Sequence, residues 1–265
     1  MAAKISAILI VLNEEENLPD CLRALDWVDE IVVVDSGSKD RSVEVARQTG
    51  ARVFTRAFDD FSGQKNYAVE QAAGPWILSI DADERVTPEL RQAVEAAIRQ
   101  PAEWDGFYVT RKNYVFGKNL RFGGRGTEQI LRLFRKDKGR FVQPIHEKVK
   151  VEGPVGKLAG YLMHQSLPNW EEYRRKFGLY TQFEAQWLLE QGARVSFTKL
   201  YWIPMARFIY YYFFRFGFLD GFAGLRFHAL SSFYYHMKYQ KLRAIQVRQK
   251  SGTGAADARP QKVHA

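Results

Sequence analysis

Residues 76–90 read "WILSIDADERVTPEL", an apolar run that ends abruptly in Asp81, Ala82, Asp83 and Glu84. Two carboxylates spaced Asp-x-Asp can present a divalent cation to a phosphorylated ligand, or can simply solvate a turn between a strand and a helix. Acids and an amide recur at two comparable places: Asn13, Glu14 and Glu15 after the run "ISAILIVL", and Asp35 after "EIVVV". A lone Asp at a strand end is ordinarily a turn or cap residue. Three such sets delivered to one edge of a sheet repel one another unless something cationic sits among them, and an oxygen-rich site suits Mg2+ or Mn2+. Neither G-x-G-x-x-G nor G-x-x-x-x-G-K-[ST] occurs in the chain, so no glycine loop is on offer to cradle phosphates. A metal bridging two phosphates is the alternative, since it neutralises the charge that develops when a nucleoside diphosphate departs.

The elements that would position these groups are legible in the first half. Residues 5–12 and 30–35 are continuous apolar runs, as strands covered on both faces require. Between them "NLPDCLRALDW" predicts a short helix, with Asn17 as N-cap and Pro19 in its first turn. "SKDRSVEVARQTG" predicts a helix closed by Gly50, "ARVFTR" a third strand, and "SGQKNYAVEQAAG" a third helix ending at Gly74. After the strand "WILSID", Thr87 and Pro88 open a helix as N-cap and N1 residue, leaving Glu84 as a solvated turn residue. Strands alternating with helices of this length predict an α/β fold with a mostly parallel sheet. Ligands bind such sheets beyond the carboxyl ends of the strands, near the point where strand order reverses. From Gly106 to about Lys150 shorter β runs follow, "GFYVTRKNYVF" and "QILRLFRK" among them, and after Pro168 the pattern becomes helical.

With 265 residues and 46% apolar content the chain can bury a substantial core and is not of disordered composition. The single cysteine, Cys21, excludes an internal disulfide framework and fits a reducing compartment. The N-terminal apolar run ends in glutamates without a small-residue cleavage site, so it reads as a first strand and not as a signal peptide.

Four segments in order, "VLNEEENL", "EIVVVDSGSKDRSVEVA", "GQKNYAVEQAAGPWILSIDADE" and "QILRLFRKDKGRF…HE", resemble family 2 glycosyltransferases of the GT-A fold. The likeness is greatest to the branch of lipopolysaccharide core β-glucosyltransferases. It covers residues 6–147 strongly and "FGFLDGFAGL" more loosely. The helical, aromatic pattern predicts a membrane-associating region over 166–250 and the composition a disordered tail over 251–265, while the resemblance implies a GT-A catalytic domain over 1–165. It implies that Asn13 with Glu14 or Glu15 lines a nucleoside pocket and that Asp35 accepts a hydrogen bond from the base. Lys65 and Asn66 would lie near the base or phosphates, Asp81 would contact ribose or sugar, and Asp83 would bind the metal. His146 would be a further metal ligand or a phosphate partner, and Arg132 would balance diphosphate charge. Such enzymes invert the anomeric centre in one displacement, so a carboxylate must deprotonate the acceptor hydroxyl. Glu128 stands at the family's position for that base, although many relatives carry Asp there; Glu147 is the alternative.

The net charge of +9 is unevenly placed: residues 238–265 hold seven Lys/Arg against the single acid Asp257, leaving +6 in the tail. Residues 196–239 carry 17 of the 38 aromatic residues. The stretch "LYWIPMARFIYYYFFRFGFL" is long enough to suggest a membrane span. A central arginine costs about 2.5–3.5 kcal/mol on insertion scales, however, and Pro204, Arg207, Arg215 and Gly217 interrupt it. Tyrosines and tryptophans flanked by cations predict an interfacial helix on an anionic membrane surface, part of it covered by helix packing. Together these readings predict a peripheral enzyme at the cytoplasmic face of a bacterial inner membrane. It would move a hexose, glucose being the one expected, from a UDP-sugar to a glycolipid such as the lipopolysaccharide inner core, without a nucleic-acid partner. A haloacid-dehalogenase-type phosphatase is a weaker fit, because Arg85 stands where its motif wants Thr or Val and the motif should close the first strand. A non-enzymatic membrane adaptor leaves the strand-end acids unexplained.

Overall fold

The computed structural model describes residues 4–99, 103–115, 117–124, 126–143, 147–167 and 170–250, so His146 and the 251–265 tail lie outside the described residues. The chain divides into two compact units. One comprises the residues up to Lys112 together with Glu128–His164, and the other Asn113–Thr127 with the chain from Gln165 onward.

In the first unit, β1 (Ile5–Val11), β2 (Glu30–Asp35), β3 (Arg52–Thr55) and β4 (Trp76–Ser79) are parallel and ordered β3-β2-β1-β4. Strand order therefore reverses between β1 and β4. Their neighbouring residues point to opposite faces, and both faces are covered. Leu9, Leu78 and Leu133 pack with Leu18 and Leu22 of α1 (Leu18–Arg23), Ala46 of α2 (Ser42–Gln48) and Leu90 and Val94 of α4 (Pro88–Arg99). Ile8, Val32, Ile77 and Phe134 pack with Ala68 and Val69 of α3 (Phe61–Gln71) and with Phe141. This two-sided burial is why the strands read as unbroken apolar runs.

The sheet continues past β4 through antiparallel β8 (Thr127–Arg135), then β6 (Gly106–Val115), β11 (Val155–Leu167) and β5 (Glu84–Val86). The short β7 (Lys118–Asn119) pairs with the end of β6, and β9 (Gly139–Val142) pairs with β10 (Lys148–Val151) in a separate ribbon. Strand β5 was not expected from the sequence. It starts five residues after β4 ends, yet closes the opposite end of the strand path, and so short a link spans at most about 18 Å. The sheet must therefore curl until β8, β6 and β11 all face the 81–84 turn.

Three local expectations are corrected. Asn17 occupies the N-cap position of α1 but its amide donates to Glu14 Oε2 (2.7 Å) and caps nothing. Helix α3 stops at Gln71, and Gly74 serves instead as a close-packing point where a Cβ would lie 2.8 Å from Ser6 Oγ. Glu84 is fully buried and not a solvated turn residue. By contrast Asp60 caps α3 through Gly63 N (2.8 Å), and Gly50, with φ +83°, follows α2 as expected.

In the second unit α5 (Trp170–Glu190) packs along α7 (Gly221–Lys250), with Phe177 stacked on Phe233 and Glu184 accepting from Tyr234 Oη and Lys238 Nζ, both at 2.7 Å. The intervening chain winds through a π-helical turn at Thr198–Trp202, α6 (Ile203–Ile209), a second π-helical turn at Tyr210–Phe214 and a 3-10 turn at Gly217–Asp220. Among the described residues no helix is long and apolar enough to cross a membrane. Much of the aromatic content is exposed, with Phe197, Phe214 and Phe222 each about 70% accessible.

Candidate active site

The 81–84 turn lies just beyond the carboxyl end of β4, next to the strand-order reversal, and it gathers charge from four other elements. Asp81 accepts from Lys65 Nζ of α3 at 2.9 Å and pairs with Arg132 of β8. Lys65 is almost fully buried and also donates to Glu147 Oε1 at 2.6 Å. Burial opposes ionisation of Asp81, but the Arg132 guanidinium and the Lys65 ammonium outweigh it and hold the carboxyl well below the usual range. Burial likewise works against the charge on Lys65, and Asp81 and Glu147 reverse that, so its value is raised.

Glu84 is the hub beneath this pair. It accepts from Arg132 Nη2 (2.7 Å), from Arg111 Nη1 of β6 (3.2 Å) and from the Asp81 amide (3.0 Å). Arg111 in turn donates through Nε to Glu128 Oε1 at 2.8 Å, and its Nη2 reaches the same oxygen. One chain of alternating charge thus runs Glu147–Lys65–Asp81–Arg132–Glu84–Arg111–Glu128. Desolvation alone would lower the Arg132 and Arg111 values; Asp81 and Glu84 for the first, and Glu84 and Glu128 for the second, raise them, so both stay cationic. Arg132 Nε is buried without a hydrogen-bond partner among the described residues, an orphan donor in the middle of the network.

Asp83 takes the other side of the turn, where its Oδ2 lies 3.3 Å from Nε2 of His164, the β11 residue paired with Glu84 across the β5–β11 ladder. The remaining sequence candidates do more local work. Asp35 is buried and accepts from the amides of Gly37 (3.0 Å) and Ser38 (3.1 Å), holding the turn after β2. Asn13, at φ +55°, accepts from Lys39 N (2.8 Å), and the amides of Glu14 and Glu15 donate to Ser42 Oγ and Asp40 Oδ2, which ties the two loops together. Asn66 brackets the Phe141 backbone with both amide atoms, at 3.0 and 2.9 Å, and so docks α3 against β9. Arg132 faces inward, not toward solvent.

Residues 6–156, more than half the chain, match the family model described as glycosyl transferase family 2. The chain belongs to this family. It is 34% identical to the lipopolysaccharide core biosynthesis glycosyltransferase LpsC of Rhizobium meliloti, over 79% of this chain and 80% of that one. An uncharacterized glycosyltransferase of Rickettsia bellii is 27% identical over 99% of this chain and 94% of its own length. Among solved structures, S. aureus TarS aligns with a TM-score of 0.45 at 14% identity, covering 94% of this chain and 92% of that one. Glucosyl-3-phosphoglycerate synthase from Mycobacterium tuberculosis, solved with Mn2+ and UDP, aligns with a TM-score of 0.44 at 16% identity over 73% and 82%.

As a family 2 glycosyltransferase the chain has the GT-A α/β domain and the helical, aromatic-rich C-terminal region that its sequence implies. Among the described residues no three Asp, Glu, His or Cys side chains converge tightly enough to hold a metal by themselves. Asp83 with His164 still fits a divalent cation such as Mg2+, which takes one or two protein ligands and fills its other positions with phosphate oxygens and water. Sequence reasoning missed Glu84, Arg111 and His164 as site residues. Arg111 and His164 sit in the half-polar strand stretches "YVTRKNY" and "YLMHQ", where alternation gives no cue to which polar residue turns inward.

Proposed function

We propose that this glycosyltransferase is metal-dependent and inverting, and that it moves a hexose, glucose first among the candidates, from a UDP-sugar to a glycolipid of the lipopolysaccharide inner-core type. The observation that carries the reading is the 81–84 turn at the strand-order reversal, with Asp83 and His164 on one side and the Lys65–Asp81–Arg132 pairs on the other. Asp83 and His164 would hold the divalent cation, which when bound would offset the negative charge of the departing nucleoside diphosphate. Arg132, held between Asp81 and Glu84, would place its positive charge near the same anionic group. Lys65 and Arg132 fix the Asp81 carboxylate, ionised and oriented, for a hydroxyl of the donor. Asn13, Glu14, Glu15, Asp35 and Asn66 shape and brace the loops around the nucleoside. Glu128 takes the proton from the acceptor hydroxyl.

The acceptor class rests on the similarity to LpsC. The exposed aromatic residues of the second unit and the basic excess of residues 238–265 support a peripheral station at the cytoplasmic face of the bacterial inner membrane. The test is calorimetric titration with UDP in the presence and absence of Mn2+, on wild-type protein and on Asp83→Ala. Binding that requires both Mn2+ and Asp83 supports the reading; UDP binding indifferent to both defeats it. Glu128→Gln retains Mn2+-dependent UDP binding and lowers the rate of transfer about 10²–10⁴-fold, leaving a measurable residual rate.

A further inference from the structure

We propose that Arg111 is a positioning residue for proton transfer, clamping the Glu128 carboxylate to the donor-side 81–84 turn by way of Glu84. The inference rests on the reading above that Glu128 is the base.

Three features support it. First, two nitrogens of the guanidinium, Nε and Nη2, converge on one oxygen of Glu128, Oε1. Oε2 receives no hydrogen bond among the described residues, and the side chain is 43% exposed, so one oxygen is anchored while the other is left to accept a proton. Second, the third nitrogen, Nη1, is held by a group that cannot itself move: Glu84 is fully buried and fixed by Arg132 and by the Asp81 amide. Third, the strands carrying the pair are pinned beside it, because Gln129 Nε2 donates to Thr110 Oγ1 at 2.8 Å. The next residue along β6, Lys112, stacks on the Tyr161 ring 3.6 Å away, so Arg111 and Lys112 each have a separate anchor.

A planar fork with several fixed donors bridges two carboxylates in a way that a single ammonium cannot. In the transfer step the acceptor O–H proton moves to Glu128 Oε2 and the acceptor oxygen bonds to the anomeric carbon. The bond from that carbon to the diphosphate breaks, and its electron pair leaves with the nucleoside diphosphate. Arg111 touches none of these atoms; it sets the direction of Oε2 and ties that direction to the turn bearing Asp81 and Asp83.

The experiment is a double-mutant cycle on the full chain. Its readouts are UDP release from whichever of UDP-glucose, UDP-galactose and UDP-N-acetylglucosamine supports turnover, with lipopolysaccharide truncated to its inner core as acceptor, and calorimetric binding of UDP with Mn2+. Arg111→Gln lowers kcat about 100-fold, the scale of a misplaced catalytic group, with UDP affinity within about twofold of wild type. Arg111→Gln combined with Glu128→Gln is no slower than Glu128→Gln alone. Penalties that multiply in the double variant overturn the inference while leaving the base assignment intact, as does a loss confined to UDP affinity. Near-normal turnover by Glu128→Gln overturns the base assignment itself and the inference with it. If Arg111→Gln melts below the assay temperature, Arg111→Lys, which keeps a charge beside Glu84, is read in the same cycle with the same criteria.

Discussion

Glu84→Gln separates a solvated turn residue from a buried hub by magnitude alone. A substitution on a solvated turn changes stability by no more than about 0.5 kcal/mol. In the structure the same change removes the negative charge from a fully buried site that accepts from Arg132 (2.7 Å), Arg111 (3.2 Å) and the Asp81 amide (3.0 Å). Breaking a buried ion pair by neutralising one partner costs about 3–5 kcal/mol. Here Arg132 keeps Asp81 and Arg111 keeps Glu128, and the glutamine oxygen can still accept one bond, so the lower end applies, about 3 kcal/mol. For a chain of this size each kcal/mol moves Tm by about 2–4 °C, which gives a fall of roughly 6–12 °C. Differential scanning calorimetry on wild type and Glu84→Gln measures it, with Glu70→Gln on the exposed face of α3 as the surface control. A Glu84→Gln shift as small as that of the control, within about 2 °C, would refute the hub.

Further outcomes are expected elsewhere. Gly160→Ala destabilises by at least about 2 kcal/mol, since φ is +78° and the new Cβ would lie 2.3 Å from the Leu90 amide nitrogen; an unchanged urea midpoint contradicts this. His164→Gln weakens Mn2+-supported UDP binding about tenfold or more without a matching loss of thermal stability, and equal affinities for the two proteins argue against His164 as a ligand. The depressed Asp81 value means its contribution to stability is present above the ordinary aspartate value and is lost as pH falls through the folded one. The raised Lys65 value means its contribution is present below the ordinary lysine value and is lost as pH rises through the folded one. Tm is therefore flat between about pH 5 and 9 and declines toward acid, and a level Tm down to about pH 3 rejects the pairing. Phe214→Glu with Phe222→Glu abolishes co-sedimentation with vesicles containing phosphatidylglycerol, whereas undiminished pelleting removes these rings from the lipid contact.

What could be read from the sequence was local or periodic. The β1, β2 and β4 runs are apolar throughout because helices cover both faces, and that pattern needs no knowledge of which helix does the covering. Gly50 announces its turn through backbone chemistry confined to a few neighbours. Asp81 and Asp83 stood out because charge directly follows a buried run. Glu84 follows the same run and carries the same charge, yet its role is opposite, because its partners Arg111 and Arg132 lie 27 and 48 residues away. Only the curl of the sheet, which closes β5 against β11, brings β6, β8 and β11 to one turn. The approach of His164 to Asp83 comes from the same closure, whereas Lys65 and Asn66 of α3 are set by Asp81 and Glu147 and by the Phe141 backbone of β9. Charge spacing along a chain says nothing about pairing across a sheet, since register and curvature are set by the summed packing of both faces.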